Sequence, residues 1–167
     1  MALETLFARY DRLVLFDTET TGLQFSRDEI IEFAAVVVEQ RDGQPTVVQE
    51  YDELIALSPG GFVPPMIEKL TGISNEDLKT RGIPKSQVCQ DIAGMFQGNT
   101  LLLAYNAHFD LSFLFYLLLR NGDPTILKRS GRVSPFWMVP PAPISATPAC
   151  PRAAARNSGF WRIPNLW

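Results

Sequence analysis

Residues 16–23 of the chain read Phe-Asp-Thr-Glu-Thr-Thr-Gly-Leu and close a short apolar run that begins at Arg12. The run over residues 12–17, Arg-Leu-Val-Leu-Phe-Asp, is rich in strand-forming residues and ends in a polar loop, which predicts a buried strand. Asp17 and Glu19 stand two positions apart, and side chains with that spacing on a strand point to the same face. Two such carboxylates are costly unless a cation such as Mg²⁺ or Mn²⁺ neutralises them. On their own, the two acids are also compatible with a simple strand end and turn cap.

A second polar segment, residues 105–110, reads Tyr-Asn-Ala-His-Phe-Asp. It follows the apolar run of residues 100–105, which predicts a parallel inner strand, and it leads into a helix predicted over residues 109–120. Asp110 then lies in the first turn of that helix, where it meets the first acidic pair if the two strands are neighbours. Asn106 is expected to orient a carboxylate or to cap the helix.

The remaining elements predict an α/β sheet with helices on its faces. Two strands and the turn at Asp42 and Gly43 continue the first strand as an antiparallel meander. Two helices and a weak helix cap at Ser74 separate the meander from the inner strand. The predicted strands cover residues 30–40 and 46–57, and the predicted helices cover residues 64–72 and 84–97.

Composition places the chain among ordinary globular proteins, with 167 residues, 46% hydrophobic and 20% charged. The net charge of −3 divides into +5 in residues 129–167, which contain no acid, and −8 in the rest. An acidic body argues against a broad phosphate-neutralising surface. It is compatible with a nuclease whose carboxylates hold cations, because the cations then face the phosphate.

Residues 129–167 differ in composition from the rest of the chain. They hold seven prolines and all three tryptophans, so no helix or strand is predicted there. We expect residues 1–128 to form one domain and residues 129–167 to be a disordered tail or an out-of-frame translation. The DNA in its other two reading frames distinguishes these alternatives.

The chain start shows no secretory signal pattern, and its longest apolar run, residues 111–119, is too short to span a bilayer. Cys89 and Cys150 form neither a disulfide framework nor a zinc pattern. We therefore expect reduced thiols, a cytoplasmic protein and no membrane partner.

Residues 16–23 resemble the first exonuclease motif of the DnaQ-like (DEDD) family, and residues 105–110 resemble its second. Residues 30–36 and 70–73 also match, so the resemblance covers residues 13–127. The family includes the proofreading epsilon subunit and exonuclease domains of bacterial DNA polymerase III. The resemblance implies an RNase H-like fold with a mixed five-stranded sheet flanked by helices, here incomplete at the C-terminus. It also implies a 3′-to-5′ exonuclease that uses two divalent ions, Mg²⁺ or Mn²⁺.

The resemblance assigns roles to individual residues. Asp17, Glu19 and Asp110 are expected to be catalytic carboxylates and three of the four metal ligands. The turn at Thr21, Gly22 and Leu23, inside the first motif, is expected to let backbone amides approach a terminal nucleotide and to press Leu23 against its base. The expected partners are a single-stranded 3′ end of DNA, or of RNA, and a DNA polymerase catalytic subunit. The predicted nucleotide-binding residues are Thr18, Thr20, Thr21, Gly22, Leu23, Asn106, His108 and Phe109.

The chain departs from the family at the third motif, which carries a general base, His or Tyr, and the fourth metal-binding Asp. No Asp, Glu or His follows Asp123, and the single histidine, His108, lies inside the second motif. We expect His108 to occupy a surface or packing position. The polypeptide is therefore predicted to be inactive or nearly so, marginally stable, and exposed along part of its inner sheet.

Two other functions fit part of the sequence. A haloacid-dehalogenase-type phosphatase also places an acid pair at a strand end, but its second acid is normally an Asp followed by Gly-Thr, and the second motif is then unexplained. A non-catalytic module that binds a polymerase or a nucleic-acid end fits the missing third motif. Such a module has no need for the clustered carboxylates.

Overall fold

A computed structural model describes residues 3–129 and 131–135, with side-chain environments for residues 5–128. The strands form one sheet in the order β3-β2-β1-β4-β5. The elements in chain order are α1 Leu3–Phe7, β1 Arg12–Thr20, β2 Ile30–Arg41, β3 Gln44–Leu54, α2 Pro65–Thr71, α3 Asn75–Arg81, α4 Lys85–Met95, β4 Thr100–Ala104, α5 Ala107–Asn121, α6 Ile126–Arg129 and β5 Gly131–Pro135.

The predicted antiparallel meander is present. β1 pairs with β2, and β2 pairs with β3, both antiparallel. Asp42 and Gly43 have φ values of 51° and 77°, as a two-residue hairpin turn of type I′ requires. The third strand ends three residues earlier than predicted, at Leu54.

β4 is the parallel inner strand that its apolar sequence predicts. It pairs with β1 in the register Leu13 to Leu101 and Leu15 to Leu103, and all five of its residues are buried. Because parallel strands end at the same edge of a sheet, the acidic end of β1 and the start of α5 lie at one edge.

The core occupies both faces of the sheet. On one face, Phe16, Phe33 and Phe96 pack with ring centroids 5.7 to 6.5 Å apart, beneath α4 and α5. On the other face, Leu13 and Leu101 pack with side chains of α1 and the loop that follows it. β1 contributes to both faces because alternate side chains of a strand point in opposite directions.

The ends of the helices follow the sequence signals. α2 begins at Pro65 and ends at Gly72, which has the left-handed φ of 71°. Ser74 caps α3 more completely than predicted, because its side chain accepts the amide of Asp77 while the Asp77 carboxylate accepts the amide of Ser74.

A fifth strand, β5, Gly131–Pro135, follows Lys128 and pairs parallel with β4. The prediction that no helix or strand lies in this segment was therefore wrong. β5 covers the edge of the inner sheet that was expected to be exposed. A proline ends this strand, and a proline at a strand end on a sheet edge removes few ladder hydrogen bonds. The predictions for residues 136–167 lie outside the described residues, and within the described part no helix is long and apolar enough to cross a membrane.

Two leucines of α5 test this packing with the same substitution. Leu114 is fully buried, whereas Leu119 is 53% exposed. We expect Leu114→Ala to lower the free energy of unfolding by about 2–5 kcal/mol, because it leaves a cavity in the core. Leu119→Ala should cost less than about 1 kcal/mol. Urea denaturation of the two variants measures both values, and equal losses would contradict the described orientation of α5.

Candidate active site

The acidic end of β1 is where the strand extends beyond its parallel partner. The last β1 residue paired with β4 is Leu15, and β1 continues to Thr20 beside β2 alone. A register irregularity between Glu19 and Thr20 bends the strand end. The register also sets Glu19 opposite Glu32, an acid that sequence reasoning did not select because strand register is not visible in the sequence.

Asp110 is the most buried acid of the described residues, with 2% of its surface exposed. Its Oδ1 atom accepts a hydrogen bond of 2.7 Å from the hydroxyl of Thr18, the residue between Asp17 and Glu19. The first turn of α5 positions Asp110, and the amide of Asp110 donates to the carbonyl of Asn106. The structure thus joins the two predicted motifs by a direct contact. Thr18, predicted to bind nucleotide, is itself buried and engaged with Asp110.

The pKa of Asp110 is raised from the ordinary value of 3.8 to about 6, mainly because the side chain is buried. The negative charge of Asp17 contributes to this increase, whereas the Thr18 hydroxyl opposes it. Asp17 therefore lies close enough to act on Asp110 through its charge. No group of three His, Cys, Asp or Glu able to hold a metal ion is found among the described residues. The electrostatic pair of Asp17 and Asp110 is what the structure brings together.

The loop after β1, residues 21–29, is closed at its base by two hydrogen bonds. The Thr21 amide donates to the Glu29 carbonyl, and the Glu29 amide donates to the Thr21 hydroxyl, both at 2.9 Å. The Thr20 hydroxyl donates to the carbonyl of Gly22 at 2.6 Å. The hydroxyls of Thr20 and Thr21, predicted to bind nucleotide, are thus used to shape the loop.

A cleft of about 400 Å³ lies between this loop and the segment before α2. Leu23 is 80% exposed on the loop side, and Phe62 is 64% exposed on the other side. An open cleft with exposed apolar side chains is suited to a flat, apolar group such as a base. The lining residues are Thr21, Gly22, Leu23, Gln24, Arg27, Asp28, Phe62 and Pro64.

The other residues of the second motif surround the start of α5. Asn106 is at the N-cap position, but its side chain makes no capping hydrogen bond. His108 is exposed, and its carbonyl accepts the hydroxyl of Ser112 at 2.6 Å. Phe109 packs against Phe113 with ring centroids 4.8 Å apart.

Helix α5 also holds the loop of the first motif, which sequence reasoning missed. Arg120 donates to the carbonyl of Ser26 at 2.6 Å. Phe25 contacts Tyr116 and Phe113, with ring centroids 5.4 and 6.4 Å apart. No local pattern reveals these contacts, because the partners lie about ninety residues apart in the chain.

The fold and the paired motifs define an α/β protein of the exonuclease type. A sequence model of the exonuclease family matches residues 14–133, and the chain belongs to that family. The resemblance to DnaQ-like exonucleases is therefore confirmed.

Two curated relatives illustrate the similarity. The chain is 37% identical over 112 residues to the 3′-5′ exonuclease DinG of Bacillus subtilis, a match that covers 66% of this chain and 11% of that protein. It is 31% identical over 118 residues to the DNA polymerase III subunit epsilon of Treponema pallidum, which covers 68% of this chain and 50% of that protein. The chain thus spans half or less of the length of these relatives.

Among solved structures, the chain matches E. coli Exonuclease I in complex with a dT13 oligonucleotide, with a TM-score of 0.64 and 21% identity. The match covers 74% of this chain and 27% of that one. At this identity the similarity concerns the fold, and it confirms the predicted RNase H-like architecture.

The burial of Asp110 predicts how the free energy of unfolding depends on pH when a metal chelator is present. Because the folded-state pKa of Asp110 is above the ordinary value, the folded protein binds the extra proton as the pH falls from about 6 to about 4. The free energy of unfolding therefore decreases as the pH rises through that window. Asp110→Asn removes the charge and keeps an oxygen that can accept the Thr18 hydroxyl. We expect this variant to be more stable than the wild type by roughly 1–3 kcal/mol near pH 8, and the gain to vanish near pH 4.

Thermal and urea unfolding at the two pH values measure the effect. Asp52→Asn, at an exposed position of β3, is the matched control and should show no such gain. An Asp110→Asn variant that is no more stable than the wild type at the higher pH would show that the carboxylate is not destabilised by burial.

Proposed function

We propose that the chain is the core of a metal-dependent 3′-5′ exonuclease that hydrolyses phosphodiester bonds at the 3′ ends of single-stranded DNA. The observation that carries this proposal is the contact between the two motifs. Asp110 is buried against Thr18 and lies within the electrostatic influence of Asp17. The open cleft along the loop that follows β1, with the exposed side chains of Leu23 and Phe62, supports binding of a nucleotide base.

We infer that Asp17, Glu19 and Asp110 would be ligands of two divalent ions, Mg²⁺ or Mn²⁺. Their binding would have to draw the three side chains together, because the described residues form no three-acid metal site in the structure. Carboxylate oxygens are the ligands that such ions prefer. A cation would also offset the cost of holding the carboxylates of Asp17 and Asp110 near each other. In two-ion nuclease sites the ions activate the attacking water and stabilise the leaving oxygen. The protein's own part is to hold the carboxylates in place, and for Asp110 the Thr18 hydroxyl and the first turn of α5 do so.

For the terminal nucleotide we propose contacts with the exposed parts of both motifs. Leu23, in the cleft, would contact the base, and Gly22 lines the same cleft. Asn106, His108 and Phe109 would line the side of the site formed by α5. Side-chain contacts of this kind read no sequence, as expected of an enzyme that degrades DNA of any sequence.

DNA is proposed as the substrate, and a polymerase catalytic subunit as a partner of the intact protein. The support is the similarity to DNA polymerase III subunit epsilon and to DNA polymerase III PolC-type proteins, one of which, from Lactococcus lactis, is 35% identical over 113 residues. We propose a cytoplasmic setting on the same grounds.

A second candidate, a non-catalytic module with the same fold, is favoured by one observation. No Asp, Glu or His follows Asp123, so the chain offers no fourth carboxylate and no general base beyond that point. We therefore propose that the 167-residue polypeptide binds metal and DNA ends but turns over slowly.

Metal binding distinguishes the two candidates. We expect Mn²⁺ to bind the wild type, as measured by calorimetric titration, and the affinity to fall at least about tenfold in Asp17→Asn and in Asp110→Asn, because each loses a charged ligand. Asp52→Asn should bind like the wild type, because it removes an equal charge from the exposed surface of β3. Unchanged affinity in both ligand variants would favour the non-catalytic module.

Turnover is tested with single-stranded DNA labelled at either end. We expect metal-dependent release of mononucleotides from the 3′ end, slower than that of the T. pallidum epsilon subunit by roughly 100 to 10,000-fold, because a positioned general base is absent. Release as fast as that of the reference would contradict the predicted low activity. Cleavage at internal positions would contradict the exonuclease assignment.

A further inference from the structure

The carboxylate of Asp28 fills the loop of residues 21–29. Its Oδ2 atom accepts the amide of Gln24 at 2.8 Å, and the backbone of Leu23 contributes to lowering the pKa of this carboxylate. The Asp28 amide donates to the carbonyl of Gln24 at 2.7 Å, which closes the turn from its other side. Only 13% of the Asp28 side chain is exposed, although most of the loop is at the surface.

We infer that Asp28 is a positioning residue that fixes the turn carrying Leu23, and through it the contact with the terminal base. This inference rests on the proposed exonuclease function. Leu23 is 80% exposed, so packing of its own side chain contributes little to holding its backbone. The hydrogen bonds of the turn must do so, and the one made by the next amide, that of Gln24, ends on Asp28.

The acceptor at the centre of the turn is charged. Burial alone would raise the pKa of Asp28, but the Gln24 amide and Arg27, whose Nε lies 3.1 Å from Oδ1, together lower it below the usual range. The carboxylate is therefore ionised at neutral pH, and amide hydrogen bonds to an ionised acceptor are stronger than those to a neutral one.

Gly22 supports the same conclusion from the sequence side. A Cβ atom at position 22 would overlap the Asp28 carboxylate. A side chain at position 22 would therefore displace the Asp28 carboxylate from its place in the turn, whereas the backbone of Gly22 is not left-handed, since its φ is outside the positive range. The glycine of the first motif leaves the space that Asp28 occupies.

The position of Asp28 also changes how the loop can recognise a nucleotide. Backbone amides of the turn were predicted to approach the ligand. In the structure the amide of Thr21 is bound to Glu29, and that of Gln24 is bound to Asp28. With these two amides occupied, we assign the base contact of this loop to the side chain of Leu23, which can contact every base in the same way.

Hydrogen exchange tests whether Asp28 holds the turn. In Asp28→Ala we expect the amide of Gln24 to exchange about tenfold faster or more than in the wild type, because it loses its acceptor. Amides of the buried strand β4 serve as the reference for an intact fold and should be unchanged. Asp28→Asn keeps one acceptor oxygen and should show a smaller effect. If the Gln24 amide exchanges as slowly in Asp28→Ala as in the wild type, the positioning role is overturned.

A double-mutant cycle tests whether Asp28 acts through Leu23. Fluorescence anisotropy with a labelled oligonucleotide of about 12 thymidines ending in a free 3′ hydroxyl gives the affinities of the wild type, Asp28→Ala, Leu23→Ala and the double variant. We expect each single change to weaken binding several-fold and the double variant to bind no more weakly than Leu23→Ala. Additive losses would show that Asp28 acts independently of Leu23 and would overturn the inference. If the wild type does not bind the oligonucleotide, the proposed function fails, and the positioning role fails with it. Slow amide exchange in Asp28→Ala, in contrast, overturns the positioning role alone.

Discussion

The hydrogen bond from the Thr18 hydroxyl to Asp110 is the contact on which the site depends. It spans 2.7 Å in the protein interior and joins residues 92 positions apart in the chain. The bond forms because β4 pairs in parallel with β1 and then turns directly into α5. A buried carboxylate is unfavourable unless it is hydrogen-bonded. The core on the two faces of the sheet supplies the free energy that keeps Asp110 there.

Helix α5 connects the two parts of the site. Its first turn presents Asp110, and its last turn holds the loop of the first motif through the contact of Arg120 with Ser26. Between them, Phe113 and Leu114 anchor the helix in the main core. Asp110 and the loop of the first motif are thus both held by α5. The distance between them is therefore fixed by packing that lies outside both motifs.

Local signals in the sequence were sufficient to predict β1 to β4 and the inner position of β4. The Asp42-Gly43 turn favours a hairpin, and the mostly apolar sequence of β4 favours a fully buried strand. β5 could not be predicted, because a strand at a sheet edge needs few apolar residues and this one lies in a proline-rich segment. The contacts of the site depend on register and on long-range packing. Asp28, whose carboxylate faces the turn rather than solvent, shows that a short acidic loop can look like an ordinary surface turn in sequence.

The buried acid also bears on the choice between an enzyme and a binding module. Desolvation and the charge of Asp17 both raise the pKa of Asp110, so in the absence of a cation the ionised pair destabilises the folded state. A module that binds DNA ends through Leu23 and the cleft gains nothing from this arrangement, since an amide at position 110 would preserve the contact with Thr18. The fold keeps the carboxylate at a cost in stability. A cation between Asp17 and Asp110, as proposed above, would offset that cost, and a bound cation is the condition that metal-dependent hydrolysis requires.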